Sequence, residues 1–374
     1  MKIAIMTQPL GRNYGGIMQA WALQQVLKRM GHHPVTIDRQ PRNASFAFRT
    51  AQIAYWYLQK LFGKRTAIVN VRRHYPEIFA NTNNFVSENI VISEKIGGQI
   101  DLERHFESNI YDAVVVGSDQ TWRPSYSPNI LNEYLDFLSR SPVRKVAYAT
   151  SFGVDAWEYT PSQTLLCREL IGAFDAVSVR ENSGVLMCKE YLDAEAQLVL
   201  DPTFLLTKQD YESLIKGERK SRGVYTYILD DSVLKRRTIS NVCDAIQKQP
   251  FTCQPKYKVG TKFGSSAVID YVFPPVKIWL AGFRDADFVV TDSFHGCVFS
   301  ILFNVPFVAV GNAQRGLSRF TSMLGRLNLE NRLILDESDP VVQIVQQQVD
   351  WFLINETLSQ RRKLSMDFLD NALS

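Results

Sequence analysis

Short apolar runs alternate with segments of helical periodicity along most of the chain. Continuous apolar strands that alternate with helices are typical of a parallel sheet covered on both faces. The strands predicted in this way are Lys2–Met6, Val35–Ile37, Asp112–Gly117, Lys145–Thr150, Ala176–Val179, Leu198–Leu200, Gly223–Leu229, Phe288–Thr291, Pro306–Val310 and Arg332–Leu335. The main predicted helices are Ile17–Met30, Ser232–Gln247, Val276–Arg284, Cys297–Phe303, Phe320–Leu327 and a long terminal helix from about Pro340.

The strand–helix rhythm stops after Thr203 and begins again at Gly223. A chain of 374 residues is also long for one hydrophobic core. We therefore expect an α/β protein with two Rossmann-like domains, one over residues 1–206 and one over residues 207–339. The terminal helix, residues 340–374, is expected to pack back against the first domain.

Polar residues follow several predicted strands at the same end. In open α/β sheets, ligands bind beyond the carboxyl ends of the strands. A purely structural sheet does not require small polar or charged residues at four successive strand ends, so we expect a ligand crevice there. The residues concerned are Ser118, Asp119, Gln120 and Trp122, then Ser151 and Phe152, then Arg180, and finally Asp201.

The segment Asp287–Gly311 contains the most informative turn. A buried strand ends at Thr291, and Asp292, Ser293, His295 and Gly296 lead into an apolar helix. Free N–H groups at a helix N-terminus favour an anion, and imidazole changes charge near neutral pH. His295 is therefore a candidate acid or base beside a bound phosphate or carboxylate. A helix-capping role for this histidine is the alternative.

A glycine-containing loop, Gly11–Gly16, follows the first strand. Its spacing does not match the GxGxxG pattern of dinucleotide-binding proteins, so we reject NAD-dependent redox chemistry with Asp38 as the ribose ligand. The loop still offers backbone N–H groups to a ligand. A simple tight turn remains the alternative interpretation.

The segment Ala44–Arg65 combines six aromatic residues with basic ones and predicts an amphipathic helix. One interpretation is a helical excursion packed on the first domain. The other is an interfacial helix, because aromatic and cationic side chains are typical of helices that lie on anionic membranes. Such a helix would bring the enzyme to a lipid-linked acceptor at the inner face of the plasma membrane.

Composition excludes some classes of function. The net charge is +4, which argues against a general nucleic-acid binder. Five cysteines without CxxC spacing and five scattered histidines predict no metal site. The apolar run at the start is too short for a signal peptide and no run reaches membrane-spanning length, so we expect a cytoplasmic protein.

Six motifs together resemble the polysaccharide pyruvyl transferase family. They are NYGGIMQAWALQ (13–24), VVVGSDQTWRP (114–124), YATSFG (148–153), SVRENSG (178–184), LDPTFLL (200–206) and VTDSFHGCVFSILFNVPFV (290–308). The resemblance implies a GT-B-like pair of domains around a central cleft. It also implies transfer of pyruvate from phosphoenolpyruvate, as a ketal, to a sugar such as galactose or mannosamine. No other cofactor is expected.

The resemblance also suggests roles for residues. His295 takes the position of the family's active-site histidine, and Arg180 that of an arginine that binds the donor. Many members carry arginine where this chain has Ser293, and Arg315 or Arg319 is expected to substitute. Asp119 and Asp292 are candidates for orienting a sugar hydroxyl or the imidazole, with helix capping as the alternative for Asp292. Gly296 completes the expected donor site, and the acceptor or cleft residues are expected to be Asn13, Tyr14, Gly15, Gly16, Gln19, Ser118, Gln120, Trp122, Ser151, Phe152 and Asp201.

Two other classes of function stay open at this point. A nucleotide-sugar glycosyltransferase would use the same architecture. A non-catalytic glycan-binding subunit would use Trp122, Tyr126 and Trp157 as stacking platforms for sugar rings.

Overall fold

A computed structural model describes residues 1–40, 46–127, 129–217, 222–311 and 316–374. Within these residues the chain forms two parallel sheets, one from each half of the sequence. The first sheet consists of β1 (Lys2–Met6), β2 (His33–Arg39), β3 (Ile92–Ile96), β4 (Ala113–Val116), β5 (Arg144–Thr150), β6 (Ala176–Val179) and β7 (Gln197–Leu198). The second consists of β8 (Val224–Tyr227), β9 (Pro250–Phe251), β10 (Phe288–Thr291), β11 (Phe307–Val310) and β12 (Leu333–Ile334).

Each sheet has a point where the strand order reverses. The first sheet runs β3-β2-β1-β4-β5-β6-β7 and reverses between β1 and β4. The second runs β12-β11-β10-β8-β9 and reverses between β8 and β10. Both orders are those of doubly wound folds, which bind ligands at the reversal. The α/β class and the two Rossmann-like halves are confirmed.

The helices cover both sheets. They are α1 (Tyr14–Arg29), α2 (Phe46–Leu61), α3 (Tyr75–Ile78), α4 (Ala80–Asn89), α5 (Gln99–Ser108), α6 (Pro161–Ile171), α7 (Asn182–Leu192), α8 (Pro202–Leu205), α9 (Lys208–Leu214), α10 (Val233–Ile246), α11 (Val276–Asp285), α12 (Phe294–Phe303), α13 (Ser318–Gly325), α14 (Val341–Gln346) and α15 (Trp351–Leu373). No helix of the described chain is long and apolar enough to cross a membrane.

Helices α1 and α12 begin three residues earlier than the sequence pattern predicts. In α1 the side chain of Asn13 accepts a hydrogen bond from the Gly15 N–H group at 3.0 Å. In α12 the Ser293 hydroxyl accepts one from the Gly296 N–H group at 3.4 Å. Such side-chain caps stabilise the first turn. The polar residues predicted to lie in loops before these helices, His295 among them, therefore lie in first helical turns.

Aromatic side chains join the two halves into one core. Tyr14 of α1 stacks on Trp279 of α11, with ring centroids 5.0 Å apart. Trp21 of α1 contacts Tyr211 of α9 with ring centroids 5.6 Å apart, and Tyr211 in turn meets Phe299 of α12 edge-on at 5.1 Å. All ten residues of α12 are buried, which explains why its sequence is apolar on every side.

The terminal segment differs from the prediction of one long helix. It forms two helices, α14 and α15, and Asp350 caps the second by accepting a hydrogen bond from the Leu353 N–H group at 3.0 Å. Helix α15 packs against the first sheet, because Ser365 accepts a hydrogen bond from the Leu200 N–H group at 2.9 Å and Phe368 contacts Tyr148. The return of this helix to the first half is confirmed, whereas the domain limits at 206 and 339 stay predictions.

Two edge strands were missed by the sequence pattern. Strand β3 has mostly exposed or half-buried residues, and β9 has two residues, the first a proline. Neither has the apolar run that identifies a central strand. Prolines and charged side chains are common on edge strands because one side of the strand has no partner.

Candidate active site

The carboxyl ends of the first sheet meet the first turn of α12 between the two halves. Arg180, which follows β6, contacts Asp119 after β4 and Asp201 after β7. Ser118 donates a hydrogen bond to Asp201 at 3.2 Å, and His295 of α12 lies 3.8 Å from the same carboxylate. These polar turns therefore form one cluster, as the common edge of a parallel sheet requires.

Arg180 lies at the centre of this cluster. Its Nη1 donates to Asp201 Oδ2 at 2.6 Å and its Nη2 donates to Asp119 Oδ1 at 2.8 Å. Its Nε lies 3.9 Å from the Glu181 carboxylate, and its guanidinium carbon lies 4.6 Å from the centre of the Phe294 ring. The side chain is only 1% exposed. A bound anion would therefore have to share this guanidinium with the carboxylates.

The cluster holds two of its carboxylates in the charged form. Burial opposes ionisation of Asp119, but the charges of Arg180, His295 and Arg319 outweigh it and lower the pKa of Asp119. Burial also opposes ionisation of Asp201, and the charge of His295 together with that of Arg180 holds the pKa of Asp201 well below its usual range. Glu181 behaves differently, since burial is its largest effect and raises its pKa.

His295 is the imidazole of the cluster. Its side chain is buried, and its Nε2 atom has no hydrogen-bond partner among the described residues. The 3.8 Å separation from Asp201 Oδ2 is too long for a hydrogen bond but close enough for a charge interaction. An unpaired ring nitrogen beside a carboxylate is suited to exchanging a proton with a ligand.

Gly15 makes room for the imidazole. A Cβ atom at this position would lie 2.2 Å from His295 Nδ1, closer than any real contact. Gly16, the next residue, would place a Cβ no closer than 3.8 Å to its surroundings. The first of the two glycines is therefore required for the contact between α1 and α12.

The start of α12 depends on a second close approach. Thr291 Oγ1 accepts a hydrogen bond from the Ser293 N–H group at 3.1 Å, and a Cβ atom at Gly296 would lie 2.2 Å from that oxygen. Only glycine lets the helix begin immediately after β10. As a result, the first-turn N–H groups of α12 lie next to His295, where a helix N-terminus favours negative charge.

Arg319 adds a second buried cation from the other half of the chain. It lies in the first turn of α13, and its charge acts on both Asp119 and Glu181. Burial and the nearby Arg180 charge lower the pKa of Arg319 to about 10. Helix α13 is held near the cluster by Ser322, whose hydroxyl accepts a hydrogen bond from the Asn182 N–H group at 3.1 Å.

A cleft of about 870 Å³ lies between the first turn of α1 and the carboxyl ends of β8 and β9, and its lining does not include Arg180, Asp201 or His295. Asn13 and Tyr14 form its wall on the side of the first sheet, one residue before the glycine that contacts His295. The second half contributes mainly residues 226–231, Lys235, Arg236 and residues 252–259. Pockets of this size hold ligands larger than a single small anion.

Comparison with known proteins identifies the family. A family model described as polysaccharide pyruvyl transferase matches residues 13–314, which is most of the chain. The chain belongs to this family. None of the curated protein sequences compared with the chain matches it.

Solved structures support the fold of the pyruvyl transferase. A UDP-GlcNAc 2-epimerase from Methanocaldococcus jannaschii is 11% identical, with a TM-score of 0.53 over 94% of this chain and 93% of that one. A UDP-glucosyltransferase from Polygonum tinctorium is 10% identical, with a TM-score of 0.50 over 100% of this chain and 97% of that one. At these identities the similarity shows the arrangement of two Rossmann-like domains and not a shared substrate.

The structure of the pyruvyl transferase brings many of the predicted site residues together. Arg180, Asp119, Asp201 and His295 form the cluster described above, and Arg319 adds its charge to it. Arg315 lies outside the described residues. Of the two arginines predicted to replace the family's arginine at position 293, the structure describes only Arg319, and the replacement itself stays a prediction.

The predicted residues of α1 connect the cluster to the cleft. Gln19 accepts a hydrogen bond from the Ser118 N–H group at 3.0 Å and donates one to Thr7 at 2.8 Å, which ties α1 to β4 and β1. Tyr14 donates a hydrogen bond to the Pro274 carbonyl at 2.6 Å. These residues fix the relation between the two halves of the pyruvyl transferase at its gap.

Other predicted cleft residues lie beneath the surface. Trp122 has no exposed area, stacks on Tyr134 at 4.9 Å and donates its Nε1–H to the Glu133 carbonyl. The prediction that Trp122 faces a sugar is therefore corrected: its ring packs in the core. Ser118, Ser151 and Phe152 are also buried, and Gln120 accepts a hydrogen bond from Arg123 at 3.3 Å.

Asp292 points into the second half. Its carboxylate accepts hydrogen bonds from the Leu229 and Asp230 N–H groups, at 2.6 and 3.2 Å, and from Lys235 at 2.6 Å. The residue that caps α12 is Ser293, so the capping role predicted as an alternative for Asp292 is wrong. Asp292 instead joins β10 to β8 and α10 at the reversal of the second sheet.

Sequence reasoning missed two parts of the site. Glu181 was not assigned a role, yet its carboxylate accepts hydrogen bonds from the Phe152 and Gly153 N–H groups at 2.9 and 3.4 Å. The large cleft was missed as well, although Asp230, Asp231 and Lys235 follow β8 and mark its carboxyl end. In the part of the chain that the structure describes, no group of three or more His, Cys, Asp or Glu residues could hold a metal ion.

Proposed function

We propose that this pyruvyl transferase moves pyruvate from phosphoenolpyruvate to two hydroxyl groups of one sugar, forming a cyclic ketal and releasing inorganic phosphate. The observation that carries the proposal is the position of His295. Its imidazole lies 3.8 Å from Asp201, a buried carboxylate of the other half, in a chain whose family transfers pyruvate to polysaccharides.

The reaction needs a proton donor and then a proton acceptor. Protonated His295 gives its proton to the methylene carbon of the donor, and positive charge develops on the adjacent carbon. The first sugar hydroxyl attacks that carbon and gives its proton to His295, which is now neutral. Phosphate then leaves with the C–O bonding electrons, and the second hydroxyl attacks the same carbon and passes its proton to the departing phosphate. Such acid–base catalysis contributes about 10²–10⁴-fold.

The donor is small and carries a carboxylate and a phosphate. We place it at the first turn of α12, where N–H groups and two arginines provide positive potential. Arg319 contacts the donor directly in this proposal. Arg180 contributes through its remaining N–H groups while it holds Asp119 and Asp201 in position.

In this proposal the acceptor occupies the 870 Å³ cleft, whose wall includes Asn13 and Tyr14, the two residues before the glycine that contacts His295. Asp119 orients one of the attacking hydroxyls. The sugar we propose first is galactose, linked to a lipid during the synthesis of a capsule or exopolysaccharide. Resemblance to the family supports galactose, and mannosamine is the second choice.

A phosphate-release assay tests the reaction. The enzyme is incubated with phosphoenolpyruvate and a panel of galactosides and mannosamine derivatives, and the ketal is identified by mass spectrometry. We expect phosphate release that requires an acceptor, together with a product heavier by one pyruvate ketal. Release without any acceptor, or no release with the whole panel, would contradict the proposal.

A nucleotide-sugar glycosyltransferase is the second candidate. The observation that favours it is the size of the cleft at the reversal of the second sheet, in a fold shared with a UDP-glucosyltransferase. Thermal-shift measurements with phosphoenolpyruvate and with nucleotide sugars distinguish the two. Stabilisation by a nucleotide sugar alone would favour this second function.

A glycan-binding subunit has less support. Trp122 is buried, and Trp157 is stacked between Tyr159 and Tyr191, with centroids 4.2 and 4.4 Å away. Two of the three rings predicted as stacking platforms therefore already have aromatic partners. Tyr126 remains exposed on the surface, with Arg123 over its ring at 4.7 Å.

A further inference from the structure

Positive charge is concentrated in one part of the sequence. Residues 39–76 contain eight of the 42 lysines and arginines and none of the 38 aspartates and glutamates. The rest of the chain is therefore net acidic, with 34 basic and 38 acidic residues. Arg39 and Arg65 of this segment are buried and Arg42 lies outside the described residues. The other five cations are exposed or half-buried, and in a segment without a single acidic residue they point to an anionic partner.

Helix α2 lies in this segment and exposes large apolar side chains. Leu61 is 80% exposed and Phe62, directly after the helix, is 70% exposed. Tyr55, Tyr57 and Leu58 are each more than half exposed. Apolar side chains grouped on one element in this way mark an interaction site more often than isolated ones do. The lysines at positions 60 and 64 lie between and beside them.

The end of α2 is fixed to a loop of the second half. The Gly264 N–H group donates a hydrogen bond to Thr66 at 2.9 Å, and the Ile68 N–H group donates one to the Ser265 carbonyl at 3.1 Å. Arg65 lies over the Trp56 ring at 4.3 Å. The loop carries Lys256, Lys258 and Lys262, and its Phe263 is 64% exposed. We call α2, residues 62–65 and residues 256–263 the basic aromatic surface.

The basic aromatic surface borders the large cleft. Lys256, Lys258 and Val259 belong to the surface and also line the cleft. Tyr75, in the same acid-free segment as α2, lines it too. Whatever lies against this surface is therefore next to the opening through which an acceptor enters.

We propose that the basic aromatic surface binds an anionic lipid bilayer. The charged side chains of the surface itself are all basic, with Asp270 beside it paired to Lys256 at 3.9 Å. Two copies that met face to face through this surface would therefore bring like charges together. A bilayer with anionic headgroups accepts both features, because aromatic and aliphatic side chains enter the headgroup boundary while lysines and arginines contact the phosphates. The attachment is peripheral. Delivery of a lipid-linked acceptor to the cleft follows from it, and that consequence rests on the proposed function.

Vesicle sedimentation tests the surface directly. The probes are vesicles of phosphatidylcholine alone and of phosphatidylcholine with phosphatidylglycerol. We expect the full chain to sediment with the anionic vesicles at low salt, at least tenfold more than with the neutral ones, and to be released at high salt. Equal sedimentation with both kinds of vesicle, or none with either, would overturn the proposal.

A triple variant and a matched control test which exposed apolar side chains bind the vesicles. Leu58→Ser/Leu61→Ser/Phe62→Ser removes exposed apolar groups from the surface, and none of the three lines the cleft. We expect it to bind anionic vesicles at least tenfold more weakly. The control, Ile110→Ser/Leu165→Ser/Phe352→Ser, changes equally exposed residues elsewhere and should bind like the unmodified chain. Circular dichroism verifies that both variants are folded.

Two further outcomes separate this proposal from others. If the triple variant abolishes a dimer seen by sedimentation velocity while vesicle binding is unchanged, the surface is an interface between copies and the membrane proposal is wrong. Phosphate release with a water-soluble sugar acceptor should be the same in the variant and the unmodified chain. If that activity is absent throughout while vesicle binding follows the expectation, the proposed reaction fails and the membrane surface stands.

Discussion

The Asp201 carboxylate lies 3.8 Å from the Nε2 atom of His295, so a residue of the first half and a residue of the second meet at one point. The same carboxylate oxygen accepts hydrogen bonds from Arg180 and Ser118. Asp201 is thereby held by its own half while it faces an imidazole from the other. The distance between these two side chains depends on how the halves are placed, and a domain movement of about 1 Å would make or break their hydrogen bond.

Replacing His295 by alanine should remove pyruvyl transfer. We expect kcat to fall by about 10²–10⁴-fold because the proton donor is lost. The melting temperature should change little, since the Nε2 atom has no hydrogen-bond partner among the described residues. Phosphate release and thermal unfolding measure the two quantities. His295→Gln, which keeps a polar side chain without an acid–base function, should be as inactive as the alanine variant. Activity near that of the unmodified enzyme would show that another group transfers the proton.

The two glycines of α1 offer a matched pair of substitutions. In Gly15→Ala the new methyl group would overlap His295 Nδ1 and displace the imidazole, whereas in Gly16→Ala it meets no atom closer than 3.8 Å. We expect kcat to fall about 100-fold in the first variant, because a displacement near 1 Å costs this much. The second should keep its activity and unfold at an equal or higher temperature, since alanine favours a helix over glycine. Equal activity of both variants would contradict the observed packing of α1 against α12.

The central strands and the cluster at their ends can be predicted from the sequence. Each depends on short segments, namely an apolar run and the polar residues that directly follow it. The strand Phe288–Thr291 is predicted residue for residue, since an apolar run bounded by polar residues is a local signal. Asp119, Arg180 and Asp201 are predicted to lie together because strand ends of one parallel sheet share an edge. The reversal of strand order in each sheet then determines where the ligand sites lie.

The remaining features depend on contacts between distant segments. The burial of Trp122 depends on Tyr134 and on the carbonyl of Glu133, and nothing in the apolar pattern separates it from an exposed ring. The earlier start of α12 depends on a hydroxyl and on the close approach of Gly296 to Thr291. The large cleft requires both halves in place, so no single segment of the sequence reveals it.

Arg180→Ala should lower the free energy of unfolding. The substitution leaves Asp119 and Asp201 buried without their shared cation. Removing one member of a buried charged group costs about 3–5 kcal/mol of unfolding free energy. Urea unfolding followed by circular dichroism measures this loss. Arg237→Ala is the control, because that arginine is more than half exposed and pairs with Glu337 at the surface. A loss below about 1 kcal/mol would show that the cluster contributes little to stability.

Arg319→Ala should weaken donor binding. Its guanidinium is buried near Asp119 and Glu181, on the side of the second half that holds His295. We expect the KM for phosphoenolpyruvate to rise at least tenfold and the KM for the acceptor to stay within about twofold, since a charged hydrogen bond contributes about 1.5–3 kcal/mol. Arg319→Lys keeps the charge and should recover part of the affinity. An unchanged donor KM in both variants would exclude direct contact between this arginine and the donor.

Lowering the pH should reduce the stability of the folded enzyme, because the Asp201 carboxylate becomes protonated. The pKa of this carboxyl is lowered in the folded state, whereas an unfolded aspartate has a pKa of about 3.9. The stabilisation is therefore complete above about pH 4 and is lost as the pH falls further towards the folded value. We expect the melting temperature to drop as the pH falls below about 4, and the drop to be shallower in Asp201→Asn, which is less stable at neutral pH.

Glu181→Gln is the comparison for this pH profile. Burial raises the pKa of Glu181, so its ionisation costs stability as the pH rises and its protonation opposes the acid effect. This protonation takes place above the unfolded glutamate pKa of about 4.3, so removing the group should make the change in melting temperature from neutral pH to about pH 4 less favourable. Asp201→Asn acts below about pH 4 and in the opposite direction. Parallel profiles for the two variants would mean that other carboxylates control the acid unfolding. Profiles that diverge in the expected directions would show that the buried cluster between the two halves sets the acid limit of the fold.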